Sequence, residues 1–305
     1  MEVISLEELV ALKQTCAVAL GFFDGVHLGH QSVICNAVNY AKKNQVKSVV
    51  ITFDRSPKVA LGIVEDEGCL TPRVQKLRIL EEMGVDCTLV LTFDTNFLNL
   101  SADSFIDNYL LRINASYVAV GFDFKFGRGG AGSSEYLLSL GKFKVEISEP
   151  VQLDGVKVSS TEIKRCLKLG DLKTVNRMLG RHFLVEGTVV RGNMLGRTIG
   201  FPTANLKLES GYLFSLRGVY ATTSNVNGER FTSMTNIGFN PTANLQEAIS
   251  IETYIFNFDN DIYGAQISIE FLSKIRDEVK FEGIEALIAQ LEKDKNMVAS
   301  MQVGT

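Results

Sequence analysis

A chain of 305 residues, 46% hydrophobic and 22% charged, has core material for two domains at about 150 residues each. Its net charge of −4 argues against a general nucleic-acid binder, which is basic overall, and no apolar run approaches the ~18 residues that span a bilayer. The five cysteines (Cys16, Cys35, Cys69, Cys87 and Cys166) are odd in number and lack CxxC spacing, so neither a disulfide framework nor a zinc ribbon is expected; with the acidic start MEVISLEELV, this predicts a cytoplasmic protein.

The first half alternates. Apolar runs CAVAL (16–20), KSVVITF (47–53), CTLVLTF (87–93) and SYVAVG (116–121) read as strands. Between them, 28–43, 72–83 and 101–112 read as helices, with Pro72 suited to a first turn and Ser101 to a cap. Continuous apolar strands separated by helices predict an α/β domain with a parallel sheet covered on both faces, where ligands bind beyond the carboxyl ends of the strands. From about residue 183 the rhythm changes. FLVEGTVV, GVYATTS, SMTNIGF, AISIETYIF and AQISIEFLS are β-type runs between Gly, Asn and Pro turns, and only 283–293 looks helical. That predicts a barrel or sandwich with a terminal helix. The boundary falls between Gly180 and Leu184, dividing the chain into 1–182 and 183–305.

GFFDGVHLGH (21–30) joins the first strand to a helix. A glycine-rich turn there aims backbone N–H groups and a helix dipole at an anion. His27 and His30, three apart, lie on one face of the first turn and can both donate to phosphate oxygens. A metal would need a third ligand, and neither His182 nor any cysteine cluster stands at an obvious spacing.

The string resembles the GxFDGxHxGH motif of nucleotidyltransferases related to cytidylyltransferases, most closely the bacterial FAD synthetases. The resemblance implies that His27 and His30 hold the ATP phosphates and offset charge growing on the α-phosphate as another phosphate attacks. Gly21, Phe23, Asp24, Gly25 and Gly29 belong to the same implied ATP site. GRGGAG (127–132) satisfies G-x-G-x-x-G, but FDFKF separates it from the strand and no Walker lysine precedes Ser133, so a dinucleotide loop is rejected. Instead, VGFDFKFGRGGAG resembles the family's VGxDFxFGxxxxG segment, which puts Asp123 and Phe124 on the flavin side. VSSTEIKR (158–165) resembles the SSTxIR element, implying that Ser159, Ser160, Thr161 and Lys164 grip phosphates, with Lys157 beside them; helix capping by these hydroxyls is a compatible use. The family usually has Arg at Lys164 and often at Lys157, and lysine lacks the bidentate fork. Its FxPHP turn stands here as FDRSPK (53–58), with Ser56 where His is usual.

In GTVVRGNMLGRTIGFPTANL (187–206), Gly192, Gly196 and Gly200 permit unusual backbone angles and close approach to phosphates. In an extended PTAN, Thr203 and Asn205 face one side, so both oxygens can meet one hard cation. The stretch resembles the GxxxGRxxGxPTAN motif of riboflavin kinases, and NIGFNPT (236–242), IETYIF (251–256) and 261–281 continue the resemblance. By it, Arg197 and Pro202 join the glycines at ATP, Thr203 and Asn205 hold Mg²⁺, and Glu252 takes the proton from the riboflavin 5′-hydroxyl. Strand alternation alone does not choose between that role and an outward-facing Glu252. Arg276 is assigned to the flavin pocket.

Together the resemblances imply a Rossmann-like nucleotidyltransferase domain followed by a β-barrel kinase domain, as in the bifunctional bacterial riboflavin kinase/FAD synthetases. The expected substrates are riboflavin, FMN and ATP, the cofactor Mg²⁺, and no nucleic acid or membrane is expected as a partner. An enzyme with one competent domain and a non-enzymatic flavin-binding regulator are the two alternatives.

Overall fold

The apolar runs of the first half become strands of a single parallel sheet. In chain order these are β1 (Glu2–Val3), β2 (Cys16–Leu20), β3 (Lys47–Phe53), β4 (Cys87–Leu91), β5 (Ala115–Gly121) and β6 (Lys144–Ser148), arranged β1-β4-β3-β2-β5-β6. Every pairing is parallel. The computed structural model describes residues 1–305 apart from 12, 61, 63–67, 193–194, 209–211, 213–215, 240–248 and 303–305. The chain divides into two units, Met1–Ser160 and Thr161–Thr305.

The central strand β2 is buried along its whole length because its side chains feed two cores. Val18 and Leu20 pack with Val49, Ile51, Leu89 and Phe105 on one face, while Ala17 and Ala19 pack with Ile34, Val50 and Tyr117 on the other. The small residues at 17 and 19 let helix α1 (Leu28–Asn44) lie close to the sheet. Its buried residues Val33, Ile34, Ala37, Val38 and Ala41 form one helical stripe.

Helix α2 (Arg73–Glu82) begins one residue after Pro72, which is its extended N-cap at ψ 159° rather than a first-turn residue. Ser101 does cap, its Oγ accepting from Ser104 N at 3.0 Å. The segment behind it is α-helical only over Ala102–Phe105 and then opens into a π-helical turn, Ile106–Leu111. The short pair Lys125–Phe126 and Gly132–Ser133 is an antiparallel hairpin around residues 127–131, with Gly127, Gly129 and Gly130 at positive φ. The glycines therefore close a hairpin, and the short helix that follows, Ser134–Ser139, is capped by the Ser133 side chain, in line with rejecting a dinucleotide loop.

The second unit starts with α3 (Ser160–Leu169), whose first residue Ser160 belongs to the first unit, and α4 (Leu172–Leu179). Asn176 fastens α4 to two barrel strands, accepting from Phe183 N at 2.7 Å and donating to Phe271 O at 2.9 Å. Six antiparallel strands close that barrel: β7 (Phe183–Val190), β8 (Thr203–Leu208), β9 (Gly218–Val226), β10 (Glu229–Phe239), β11 (Ile249–Ile255) and β12 (Gln266–Arg276), in the order β7-β8-β11-β10-β9-β12. The expected alternatives, barrel or sandwich, resolve to the barrel. Its interior holds Tyr220 and Phe271 and a chain of fully buried hydroxyls. Ser224, Ser233, Thr222, Thr235 and Thr253 are linked in that order at 2.8 to 3.0 Å. The terminal helix α5 (Ile284–Gln302) runs well past the predicted 293. Val298, near its end, is 1% exposed in a cluster with Phe201, Ala221 and Met234 on the outer barrel wall, so packing extends a helix whose sequence pattern fades. Of the NIGFNPT stretch, residues 240–242 lie outside the described residues.

Candidate functional site

Beyond Leu20, at the carboxyl end of β2, the chain makes the turn that carries His27 and His30. Phe23, Gly25 and Val26 all have positive φ, at 55°, 86° and 40°. For β-branched Val26 that is a strained conformation, held only where its surroundings over-determine it. The surroundings do so. The Phe22 carbonyl accepts from Thr52 Oγ1 at 2.9 Å and Lys76 Nζ at 2.8 Å. The Asp24 carbonyl accepts from Ser160 Oγ at 2.8 Å, and the Val26 carbonyl from Gln31 Nε2 at 2.8 Å. With these carbonyls tied into the protein, the N–H ends of the same peptides point the other way.

His27 is the N-cap of α1, and its Nδ1 accepts from His30 N at 3.3 Å. An accepting Nδ1 in a neutral ring leaves the proton on Nε2, which is then the donor available to an oxyanion. The two imidazoles stack with centroids 3.6 Å apart. Close approach demands glycine at 21 and makes a side chain at 29 crowd the His27 ring. A Cβ at 21 would lie 2.6 Å from the Phe23 ring, and one at 29 would lie 3.2 Å from the His27 ring. The positive end of the α1 dipole lies at this turn, where the imidazole N–H groups can donate to an oxyanion.

Other predicted residues take more specific places. Asp24 is buried, and its Oδ1 accepts from Leu70 N at 2.8 Å and Thr71 N at 3.3 Å, so it locks the turn before α2. Asp123 and Lys157 form an ion pair of 2.8 Å at the surface, with the Lys157 ammonium 4.3 Å from the Phe122 ring centre. Phe124 stacks on Phe126 at the margin of the core. Ser159 and Ser160 lie in the first unit, Thr161 and Lys164 on the first turns of α3 in the second. Ser56 directly precedes a short helix, Pro57–Ala60, its carbonyl accepting there from Ala60 N at 2.9 Å.

The second unit presents a cavity of about 310 Å³ on the outer wall of the barrel, lined by Thr203, Asn236, Glu252, Tyr254 and Arg276, with Phe281 and Leu291 completing it. Strand pairing builds this wall. Glu252 stands opposite Asn205 on one neighbouring strand and opposite Asn236 on the other, while Tyr254 stands opposite Thr203 and Met234. Ile251, Thr253 and Ile255 are buried, so Glu252 and Tyr254 face the cavity side. Burial pushes the Glu252 carboxyl above the ordinary glutamate range. Arg276 reaches across to α5. Its Nε donates to both oxygens of Asp294, at 2.9 and 3.1 Å, and its Nη2 lies 2.8 Å from Oδ2. Gln290 supports the same carboxylate at 2.8 Å.

Gly192 and Gly196 sit where a side chain would collide. A Cβ at 192 would overlap the Asn205 amide, and one at 196 would overlap the Phe201 carbonyl and touch Thr203 Oγ1 at 3.4 Å. Gly200 has φ +84° with open space beside it, Arg197 is exposed, and Pro202 leads directly into β8. The Thr203 hydroxyl and the Asn205 amide carbonyl, the two side chains expected to meet a cation, are both hard oxygen donors, a type that fits Mg²⁺ better than a transition metal. Among the described residues no three His, Cys, Asp or Glu side chains are grouped to hold a metal, and His182 lies 3.2 Å from Asn176 through Nδ1.

Two residues of these sites are not evident from sequence. Lys76 is one lysine in a polar helix, and only the fold shows it to be buried. Asn236 stands in a stretch that the kinase resemblance covers, but only strand register sets it against Glu252.

A family model for FAD synthetase matches residues 10–162, and one for riboflavin kinase matches 179–302. A bifunctional riboflavin kinase/FMN adenylyltransferase of Listeria monocytogenes is 42% identical over 280 residues, covering 91% of this chain and 89% of that protein. Proteins of the same description from Bacillus subtilis and Escherichia coli K12 are 39% and 33% identical, covering 91% and 93% of this chain and 89% and 92% of theirs. A crystal structure described as a macrolide-efflux protein from Streptococcus pneumoniae superposes with a TM-score of 0.89 at 31% identity, over 98% of this chain and 99% of that one. Among the described residues here, no helix is long and apolar enough to cross a membrane.

Proposed function

Since the chain belongs to the bifunctional riboflavin kinase/FMN adenylyltransferase family, we propose that residues 183–305 phosphorylate riboflavin and residues 1–182 adenylylate the FMN so formed. The enzyme makes FMN from riboflavin and ATP, then FAD from FMN and a second ATP with release of pyrophosphate.

For the kinase step, the observation that supports the reading is Glu252 beside Asn236 on the cavity wall, with Asn205 opposite Glu252 on the other neighbouring strand. Glu252 orients the riboflavin 5′-hydroxyl and takes its proton as that oxygen bonds to the γ-phosphorus and the bond to the ADP oxygen breaks. A carboxyl raised by burial is a better proton acceptor than an ordinary glutamate. Thr203 and Asn205 would hold Mg²⁺, which when bound neutralises charge on the ATP phosphates. Gly192, Gly196, Arg197, Gly200 and Pro202 form the loop over the nucleotide, and Arg276 with α5 closes the flavin side.

For the second step, a phosphate oxygen of FMN attacks the α-phosphorus of ATP and pyrophosphate leaves. His27 Nε2–H, His30 and the N-terminus of α1 stabilise the charge that grows on the α-phosphate oxygens and on the leaving group. Gly21, Phe23, Asp24, Gly25 and Gly29 give the cradle its shape. Asp123 and Phe124 attend the flavin, and Lys157, Ser159, Ser160, Thr161 and Lys164 keep the phosphate-gripping role that the SSTxIR resemblance implies. The five cysteines, all free among the described residues, support a cytoplasmic setting. Incubation with riboflavin and MgATP, followed by chromatographic separation of flavins, should show FMN and then FAD; FMN accumulating alone would refute the adenylyl-transfer assignment.

A further inference from the structure

A buried lysine lies beneath the histidine turn, bonded to its backbone. Lys76, on the first turns of α2, is 6% exposed. Its Nζ donates to the Phe22 carbonyl at 2.8 Å, lies 3.5 Å from Thr52 Oγ1, and sits 4.5 Å from the centre of the Phe22 ring. Such a group is expensive to bury without compensation. Burial pulls its ammonium below the ordinary lysine range, and the charge of Asp24 opposes that shift. A surface lysine holding a solvated carbonyl would incur no such cost, so the position calls for a reason.

The reason lies in the backbone that the Phe22 carbonyl anchors. Phe23, Gly25 and Val26 have positive φ, and a strained turn relaxes unless it is pinned at both ends. Its far end is pinned by the Asp24 carboxylate on Leu70 and Thr71 and by Gln31 on the Val26 carbonyl. Its near end is pinned by Thr52 and Lys76, which come from the sheet and the helix behind the turn.

We propose that Lys76 is a positioning residue for adenylyl transfer: by holding the Phe22 carbonyl it fixes the strained turn that sets His27 and His30 against the triphosphate of ATP. The inference rests on the reading of that turn as the phosphate cradle. Lys76 does not touch the reacting atoms; it acts through the backbone of Phe22.

The full-length enzyme carrying Lys76→Met, which keeps an unbranched apolar stem and removes the ammonium, is the test. FAD formation from supplied FMN should fall about 100-fold in kcat/KM, the size of effect that an ångström of misplacement produces, and KM for ATP should rise about fivefold or more. FMN formation from riboflavin should be unchanged. A lysine that served only as scaffold would lower the active fraction, reducing kcat at an unchanged KM for ATP, and that result overturns the proposal. So does FAD formation within about threefold of wild type. Thr52→Val keeps the lysine but removes the second donor to the same carbonyl, together with the 3.5 Å contact of its Oγ1 with Lys76 Nζ, and should raise KM for ATP in the same direction by a smaller factor; an unchanged KM there also refutes the anchor, even if Lys76→Met does not fold. His30→Ala separates the two levels of inference. If that variant still makes FAD, the cradle reading falls and this inference with it. If it is inactive while Lys76→Met is unimpaired, this inference alone falls.

Discussion

Glu252→Gln is the substitution that bears most directly on the kinase reading. Glutamine has nearly the same shape, so the contacts that define the wall between Asn205, Asn236 and Tyr254 persist while the proton acceptor is lost. A positioned general base contributes about 10²- to 10⁴-fold, or about 3–5 kcal/mol of transition-state stabilisation, and FMN formation should fall by that factor. Stability should move the other way. Because burial raises the Glu252 pKa, the folded state favours the protonated carboxyl. That contribution is full below the ordinary glutamate pKa and is lost as pH rises through the raised one, so at neutral pH the wild type carries a desolvated charge that the amide does not. The variant should therefore melt no lower than wild type near pH 7. In the wild type, kcat/KM for FMN formation should fall on the acid side at a pH above the usual glutamate range, and the variant should lose that limb. The assay is flavin separation over a pH series, with FAD formation from supplied FMN as the internal control. Activity within about threefold of wild type, or loss of both products in a folded protein, would refute the reasoning.

His30→Ala should lower FAD formation by about 10²- to 10³-fold, the scale for losing one oxyanion donor, and leave FMN formation intact, as read by the same separation. Gly192→Ala places a methyl group on the Asn205 amide and should abolish most kinase activity, whereas Gly129→Ala, with positive φ but nothing within 4 Å, should cost only about 1 kcal/mol and spare both activities. Arg276→Met leaves the 1%-exposed Asp294 without its guanidinium and should destabilise the second unit by about 3–5 kcal/mol in urea unfolding, with a raised KM for riboflavin as the wall of the cavity loosens.

The parts of this fold that the sequence discloses are those in which burial is uniform or strictly alternating. CAVAL and KSVVITF are strands to the residue because both faces of a parallel sheet are apolar. Strand β6 is not legible in the same way. It is an edge strand, with Lys144 exposed and only Ser148 at its end buried, so its pattern KVEIS looks like a charged loop. The π-helical turn at Ile106–Leu111 has no local signature, since it adds one residue per turn without changing composition. At the sites, motif residues stand out by spacing, and strand alternation sets Thr203 beside Asn205. Asp24 shows the limit. Its motif position is plain, but only the structure shows its carboxylate capping residues 70 and 71, some 46 positions away. Lys76 and Asn236 are silent for the same reason: their partners are assembled by tertiary contacts with no local trace.

The chain of hydroxyls inside the barrel constrains how this domain can change over generations. Each of Ser224, Ser233, Thr222, Thr235 and Thr253 is a neighbour's donor or acceptor, with no solvent to replace it. Losing one strands another, at about 1–3 kcal/mol for the group left unsatisfied, whereas exchanging both members of a pair for apolar residues of matching shape is close to neutral. Single substitutions are therefore disfavoured where concerted ones are not. These positions, spread over β9, β10 and β11, would drift together or not at all, behaving as one inherited character.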